Sequence, residues 1–258
     1  MNAARNKPQP RDRGPAAAFD QPMSDTFKNS ADGNVNSAGV TRQVFIANVR
    51  SALEKSGRET VPPAPDVDQT IARLAGPEDD LVTMFERHAA ESGMKVRRVS
   101  RADLSARIIA CLDQYDARRI VLCANDDESL TSVLQDTGRT FVDWHASNGF
   151  DAQFEADAGI TDVHAALAET GTLICTSGPG HSRGASLVPP VHICIVRGSD
   201  ILPDMIDFWA RFGGLANTDL PSSIAFITGP SKTADIEAIL VTGVHGPKYV
   251  EVMLVEDA

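Results

Sequence analysis

The residues of this chain whose types and spacing could do chemistry fall into four polar segments of its second half. The first is Ala168-Glu169-Thr170-Gly171-Thr172. It sets a carboxylate between a helix end and an apolar strand, where Glu169 could serve as a general base or nucleophile if its surroundings raise its pKa. The bland alternative is a carboxylate bonded to nearby backbone N–H groups in a tight glycine turn. The second segment runs from Ser177 to His192 and holds Gly178, Gly180, His181, Arg183, Ser186, Pro189 and Pro190. Arg183 could clamp a carboxylate or phosphate with its forked donors, or be a solvated surface charge. His192 opens a strand and reads as a satisfied, half-buried imidazole before it reads as a ligand. The third segment, Thr228 to Glu237, feeds a strand into a Gly229-Pro230 turn, after which Ser231 or Thr233 could cap a short helix. Backbone N–H groups of this turn and the charge of Lys232 then make an anion site, with Gly229, Thr233 and Asp235 as further ligand-binding candidates, or simply an ordinary helix start. In the fourth, Gly243-Val244-His245-Gly246-Pro247, His245 rides a bending backbone from which it could reach another loop.

Familiar fingerprints are missing from these segments. Gly178-Pro179-Gly180-His181-Ser182-Arg183-Gly184 has Gly-x-Gly, but its third glycine comes one residue late for a dinucleotide site. The Gly229 turn lacks P-loop spacing. His181, His192 and His245 could converge on a metal, yet no His-x-His or His-Glu-x-x-His pair supports it. Cys111, Cys123, Cys175 and Cys194 form no Cys-x-x-Cys unit, and three of them lie in apolar runs where a reduced thiol behaves as a small hydrophobe. No metal and no cofactor is expected. The sequence predicts one crevice made jointly by the Glu169 turn, the Arg183 loop, the Ser231–Thr233 turn and His245, since all four flank strands of one sheet.

The elements that must position these residues alternate along the chain. A helix is expected from Thr41 to about Ser56, with Val44, Ala47 and Leu53 as its stripe, ended by Gly57. Val61-Pro62-Pro63-Ala64-Pro65 reads as an extended connector. A helix over Glu78–Glu91 and a strand at Lys95–Val99 come next, and Ser100 is placed to cap a helix from Arg101 to Tyr115. A strand at Arg119–Ala124, a helix at Glu128–Asp136 and a short strand at Thr140–Trp144 complete the first half. Strands follow at Thr172–Thr176, Val191–Arg197, Ser223–Thr228 and Tyr249–Val255, with a helix at Ile201–Gly213. The fold class is α/β, with a Rossmann-like, mostly parallel sheet and an N-terminal helical extension. Residues 1–40 read as a disordered tail, rich in proline and without an apolar period, and residues 41–258 as a single domain.

Bulk properties remove several function classes. The chain has 258 residues and a formal net charge of −11, without a basic run, so nucleic acid is excluded as a partner. No apolar stretch reaches the roughly 18 residues of a membrane span, and no apolar segment follows the N-terminal basic residues as in a secretory leader. A cytoplasmic protein with reduced thiols is expected.

Taken in order, Ala168 to Thr172, Ser186-Leu187-Val188-Pro189-Pro190-Val191-His192-Ile193, Gly229 to Glu237 and Gly243 to Pro247 resemble the signature of the LUD-domain family in its LutC/YkgG branch, which is tied to bacterial lactate utilisation. The resemblance covers about residues 80–258. It implies a fold similar to the NagB, ribose-phosphate isomerase and CoA-transferase superfamily. It also implies work beside two iron–sulfur proteins, LutA-like and LutB-like, in oxidising lactate to pyruvate. The cysteine run of the cluster-bearing relative is absent here, so the chain resembles the cluster-free accessory component, with a pocket for a small anion. The alternative is a stand-alone enzyme on a small anionic metabolite or acyl thioester, with Glu169 as base or nucleophile by analogy with CoA transferases.

Overall fold

The computed structural model describes residues 41–55, 68, 72–124, 128–145, 149–212, 220–236 and 239–256. The expected tail, the Pro-rich connector and Gly57 lie outside the described residues. Two compact units divide the chain, one ending at Val67 and one beginning at Asp68. In the first, the N-terminal helix forms as α1 (Arg42–Lys55), with Thr41 Oγ1 accepting the Val44 N–H at 3.3 Å.

The second unit opens with α2 (Leu81–Glu91), whose N-terminus is closed by Asp80 accepting from Val82 and Thr83. β1 (Lys95–Ser100) leads to a short 3-10 turn and α3 (Leu104–Gln114); Ser100 caps that turn, and the helix expected from Arg101 begins only at Leu104. β2 (Arg119–Cys123), α4 (Glu128–Gln135), β3 (Thr140–Phe141), α5 (Gly149–Phe154) and β4 (Ala158–Asp162) follow. Then come β5 (Ala165–Leu167), β6 (Thr172–Thr176), α6 (Arg183–Leu187), β7 (Val191–Arg197), β8 (Ile201–Leu202), α7 (Met205–Phe212) and β9 (Ile224–Ile227). β10 (Lys232–Ile236), β11 (Ile239–Thr242) and β12 (Tyr249–Glu256) close the chain.

The central sheet has six strands in the order β1-β12-β7-β4-β2-β3, and every pairing is parallel. The α/β reading is thereby met. Both faces are covered, which is why β7 and β12 are apolar almost throughout. On one face Ile120, Ile160, Ile193, Ile195 and Met253 pack against Ile108 and Leu112 of α3 and Leu130 and Leu134 of α4. On the other, Cys194, Val196, Val252 and Leu254 meet Phe85 and Ala89 of α2 and Ala166 and Leu173 of a second sheet. This second, four-stranded sheet runs β8-β5-β6-β9, and behind it Phe208 and Phe212 of α7 pack on Leu167 and Ile174. One carboxylate is buried without residue within the central sheet. Glu251 of β12 meets Tyr115 Oη at 2.5 Å and Lys95 and Arg97 at 3.2 Å each.

Further expectations change. The helix expected at Ile201 starts later, because Ile201 and Leu202 pair with β5 and Pro203 interrupts. Asp204 then caps α7, accepting from Ile206 and Asp207 at 2.8 and 2.9 Å. The helix expected from Ser231 or Thr233 does not form. That segment is β10, paired antiparallel with β11, as suits the run Ile239-Leu240-Val241-Thr242 with its β-branched side chains. Finally, β4 and β5 have no counterpart in the sequence reading, since Ala158-Gly159-Ile160-Thr161-Asp162 carries neither period 2 nor an apolar run.

Candidate functional site

In this sheet the chain leaving β2 goes outward to β3, while the chain leaving β4 goes inward toward β7. Neighbouring parallel strands whose exits diverge leave a crevice at their carboxyl ends, and ligands of open α/β sheets bind there. A cavity of about 100 Å³ occupies this place. Cys123 at the end of β2 and Thr161 and Asp162 at the end of β4 line it, together with His164, Cys175 and Thr176 from the second sheet side and His181, Ser182, Arg183 and Ser186 from the α6 loop.

The loop owes its shape to its glycines. Gly178-Pro179-Gly180-His181 makes a tight turn, closed by the His181 N–H donating to Gly178 O at 3.0 Å, with Gly180 at φ 79°. Proline second and a positive-φ glycine third are what a type II turn requires. Next, Ser182 caps α6 and donates to Gln153 Oε1 at 2.9 Å. The short helix then lies directly on β4, because Gly159 offers no side chain. A Cβ there would intrude on the carbonyl oxygen of Ala185. This docking sets His181 and Arg183 in the wall of the cavity. His181 Nε2 sits 2.8 Å from Asp162 Oδ1, and its Nδ1 faces Pro179 O at 3.3 Å. An imidazole held by a carboxylate can hold or move a proton, and the exposed Arg183 adds a planar cation at the rim. His164, in the same wall, has its pKa lowered by burial and then by Arg211.

Beneath the cavity lies a second group, on the face of β4 and β7 turned toward the second sheet. Thr161 and Cys194 stand opposite each other in the β4–β7 register. Thr161 Oγ1 is 2.8 Å from His192 Nε2, 3.7 Å from Cys194 Sγ and 4.0 Å from Cys175 Sγ. One ligand atom from each of Cys175, His192 and Cys194 falls within 4.8 Å of the others. His192 is wholly buried, its Nδ1 has no hydrogen-bond partner among the described residues, and burial lowers its pKa to about 4. The thiols differ. Cys194 donates toward Cys175 and holds its pKa below the ordinary thiol value against the cost of burial, with help from Thr161. Burial pushes Cys194 well up, and pushes Cys111 to about 12 and Cys123 to about 11.

Of the residues singled out in the sequence, His181, Arg183 and Ser186 line the cavity. Glu169, Ser231, Lys232 and His245 are not among its lining. The Glu169 carboxylate accepts backbone N–H groups, from Leu74 and, at 2.8 Å, from Ala75. Thr170 joins a hydroxyl chain through Thr172 to Thr228, each link 2.7 Å. Gly229 packs on Ser92, and Lys232 donates to Ser92 O at 3.1 Å. Ser231 is held by the fourth segment, donating its N–H to Pro247 O and accepting from Gly243 N–H. Thr233 follows in β10, and Asp235 lies in the same strand with its side chain outside the described ones. His245 is exposed. His192 is fully buried rather than half-buried, and one of its ring nitrogens is unsatisfied. The sequence reading missed Asp162, Cys175 and Cys194 as a group. Their one visible signal was polarity, an Asp and a Thr ending an unassigned segment ahead of a glycine-rich loop.

Residues 82–255 match the LUD domain family. Lactate utilization protein C of Exiguobacterium sp. is 35% identical over 186 residues, 70% of this chain and 80% of that protein. Lactate utilization protein C of Halalkalibacterium halodurans is 32% identical over 84% of this chain and 98% of its own length. A DUF162 family protein from Deinococcus radiodurans, solved by crystallography, has the same fold at a TM-score of 0.52 and 23% identity, covering 68% of this chain and 96% of that one. With the parallel sheet, these matches place the chain in the LUD-domain family.

Proposed function

We propose that this chain is a component of a bacterial lactate-utilisation system and that its cavity holds a three-carbon hydroxy or keto acid of the lactate and pyruvate class. The relatives named for lactate utilisation supply the process. One observation carries the site, namely Arg183 and the His181–Asp162 pair converging on a cavity at the divergence of β2 and β4. The volume suits the ligand. A closed cavity of roughly 150 Å³ takes benzene, lactate has as many non-hydrogen atoms, and this one offers about 100 Å³ beside an open rim.

In this reading Arg183 takes the carboxylate with two parallel N–H donors. His181, fixed between Asp162 and Pro179 O, forms the polar wall beside the 2-hydroxyl or 2-keto oxygen. Electron transfer belongs to iron–sulfur partners of the LutA-like and LutB-like kinds, beside which this chain acts as the cluster-free component. The test is growth on lactate in a bacterium lacking the gene. Wild type should restore it and Arg183→Ala should not, while both accumulate equally. Full restoration by Arg183→Ala and His181→Ala would overturn the reading.

A further inference from the structure

We propose that Cys175, Cys194 and His192 bind one zinc-class divalent cation, with its open fourth position turned toward the cavity. Two thiolates and an imidazole are the donor set of a borderline-soft d10 ion, and three protein ligands with one free position is the pattern of sites that act on a bound oxygen. The three ligand atoms already lie within 4.8 Å of one another, a short contraction away from a shared ion. They come from β6 and from one face of β7, so rigid strands hold them.

The metal-free cluster is poorly satisfied. His192 is wholly buried with a ring nitrogen that has no partner among the described residues, while the Thr161 hydroxyl is shared between its other nitrogen, Cys194 and Cys175, the last of which also donates to Asp162 O at 3.9 Å. Turning Thr161 about χ1 would vacate the centre of the group. Cys175 and Thr161 also line the cavity, while His192 and Cys194 are closed off behind them, so the exposed side of such an ion faces the cavity. There it would polarise the 2-oxygen of a bound hydroxy or keto acid as a Lewis acid. This last step rests on the proposed occupant of the cavity; the cation site does not.

The experiment uses the full chain, reduced, stripped with a chelator and titrated anaerobically with Co²⁺ in the absence of any organic acid. One equivalent should bind, with thiolate-to-cobalt absorption in the near ultraviolet and strong visible bands of tetrahedral geometry, and Zn²⁺ should bleach both. Cys175→Ser and Cys194→Ser should each weaken binding by more than the roughly 100-fold seen for second-shell losses, and Cys111→Ser should leave it unchanged. Adding pyruvate should then shift the visible bands. Wild-type protein that stays colourless at stoichiometric Co²⁺, or colour that survives in both serine variants, overturns the site. Because the wild-type titration needs no variant, misfolding of a mutant cannot rescue the claim. Unshifted bands with normal cobalt binding overturn the open position. Calorimetry of pyruvate on the metal-free protein decides the acid pocket separately.

Discussion

At the scale of single residues, the structure separates four cysteines that look alike in the sequence. Cys111 and Cys123 are buried with their pKa values pushed to about 12 and 11. Cys194 is buried and likewise pushed well up, and only Cys175 is drawn down while lining the cavity. Since the thiolate is the nucleophile, iodoacetamide should alkylate Cys175 first in the native, metal-free protein. Peptide mass mapping after brief labelling checks this, and early modification of Cys111 or Cys123 would contradict it. His192 gives a pH dependence. Its folded pKa of about 4 lies below the ordinary 6.5, so above pH 6.5 both folded and unfolded forms are neutral and nothing is lost. As pH falls from 6.5 to 4 the unfolded chain binds the proton first, which should cost about 3 kcal/mol. Melting curves of wild type and His192→Asn across that window should show a steeper decline for wild type; parallel declines would contradict it. Arg183 stood out in its loop, because a fork of donors among glycines suits an anion as well as it suits solvent, and the structure puts it in the cavity wall. The convergence of Cys175 with Cys194 was not legible, since it depends on two sheets meeting face to face.

At the scale of elements, α6 depends on β4, and β4 was the element the sequence concealed. Gly159 lowers strand propensity, yet its missing side chain is what lets the Ala185 carbonyl rest on the sheet. Gly159→Ala should therefore destabilise the protein by about 1–3 kcal/mol, as overpacking does, and should weaken any ligand that needs Arg183 and His181. Urea denaturation together with a binding titration checks both parts. Unchanged stability would mean that α6 can be lifted off freely. The opposite error occurred at β10. Gly229-Pro230-Ser231 carries the local signals of a helix start, but pairing with β11 satisfies the same backbone groups. Local turn chemistry could not tell the two apart, because the deciding partner lies further along the chain.

At the scale of the molecule, the parallel sheet was legible from the alternation of short apolar strands and amphipathic helices. The second sheet was not, because β5 and β8 are too short to show a period. Charge inside the central sheet was also hidden. Glu251 has no exposed side-chain surface, and Lys95, Arg97 and Tyr115 surround it. Because its partners are half-exposed, Glu251→Ala should cost about 3 kcal/mol, the lower end for a broken buried pair, lowering the melting temperature by roughly 6–12 °C. A drop under about 2 °C, the shift expected for less than 1 kcal/mol, would show that the network contributes little. Ligand binding is proposed at the cavity where β2 and β4 part. Its most direct test is calorimetric titration of lactate and pyruvate into wild type, Arg183→Ala and His181→Ala. At least one acid should bind wild type with 1:1 stoichiometry, and Arg183→Ala should lose about 1.5–3 kcal/mol, roughly ten- to more than a hundredfold in Kd. Acids that bind neither protein, or that bind Arg183→Ala as tightly as wild type, would contradict it.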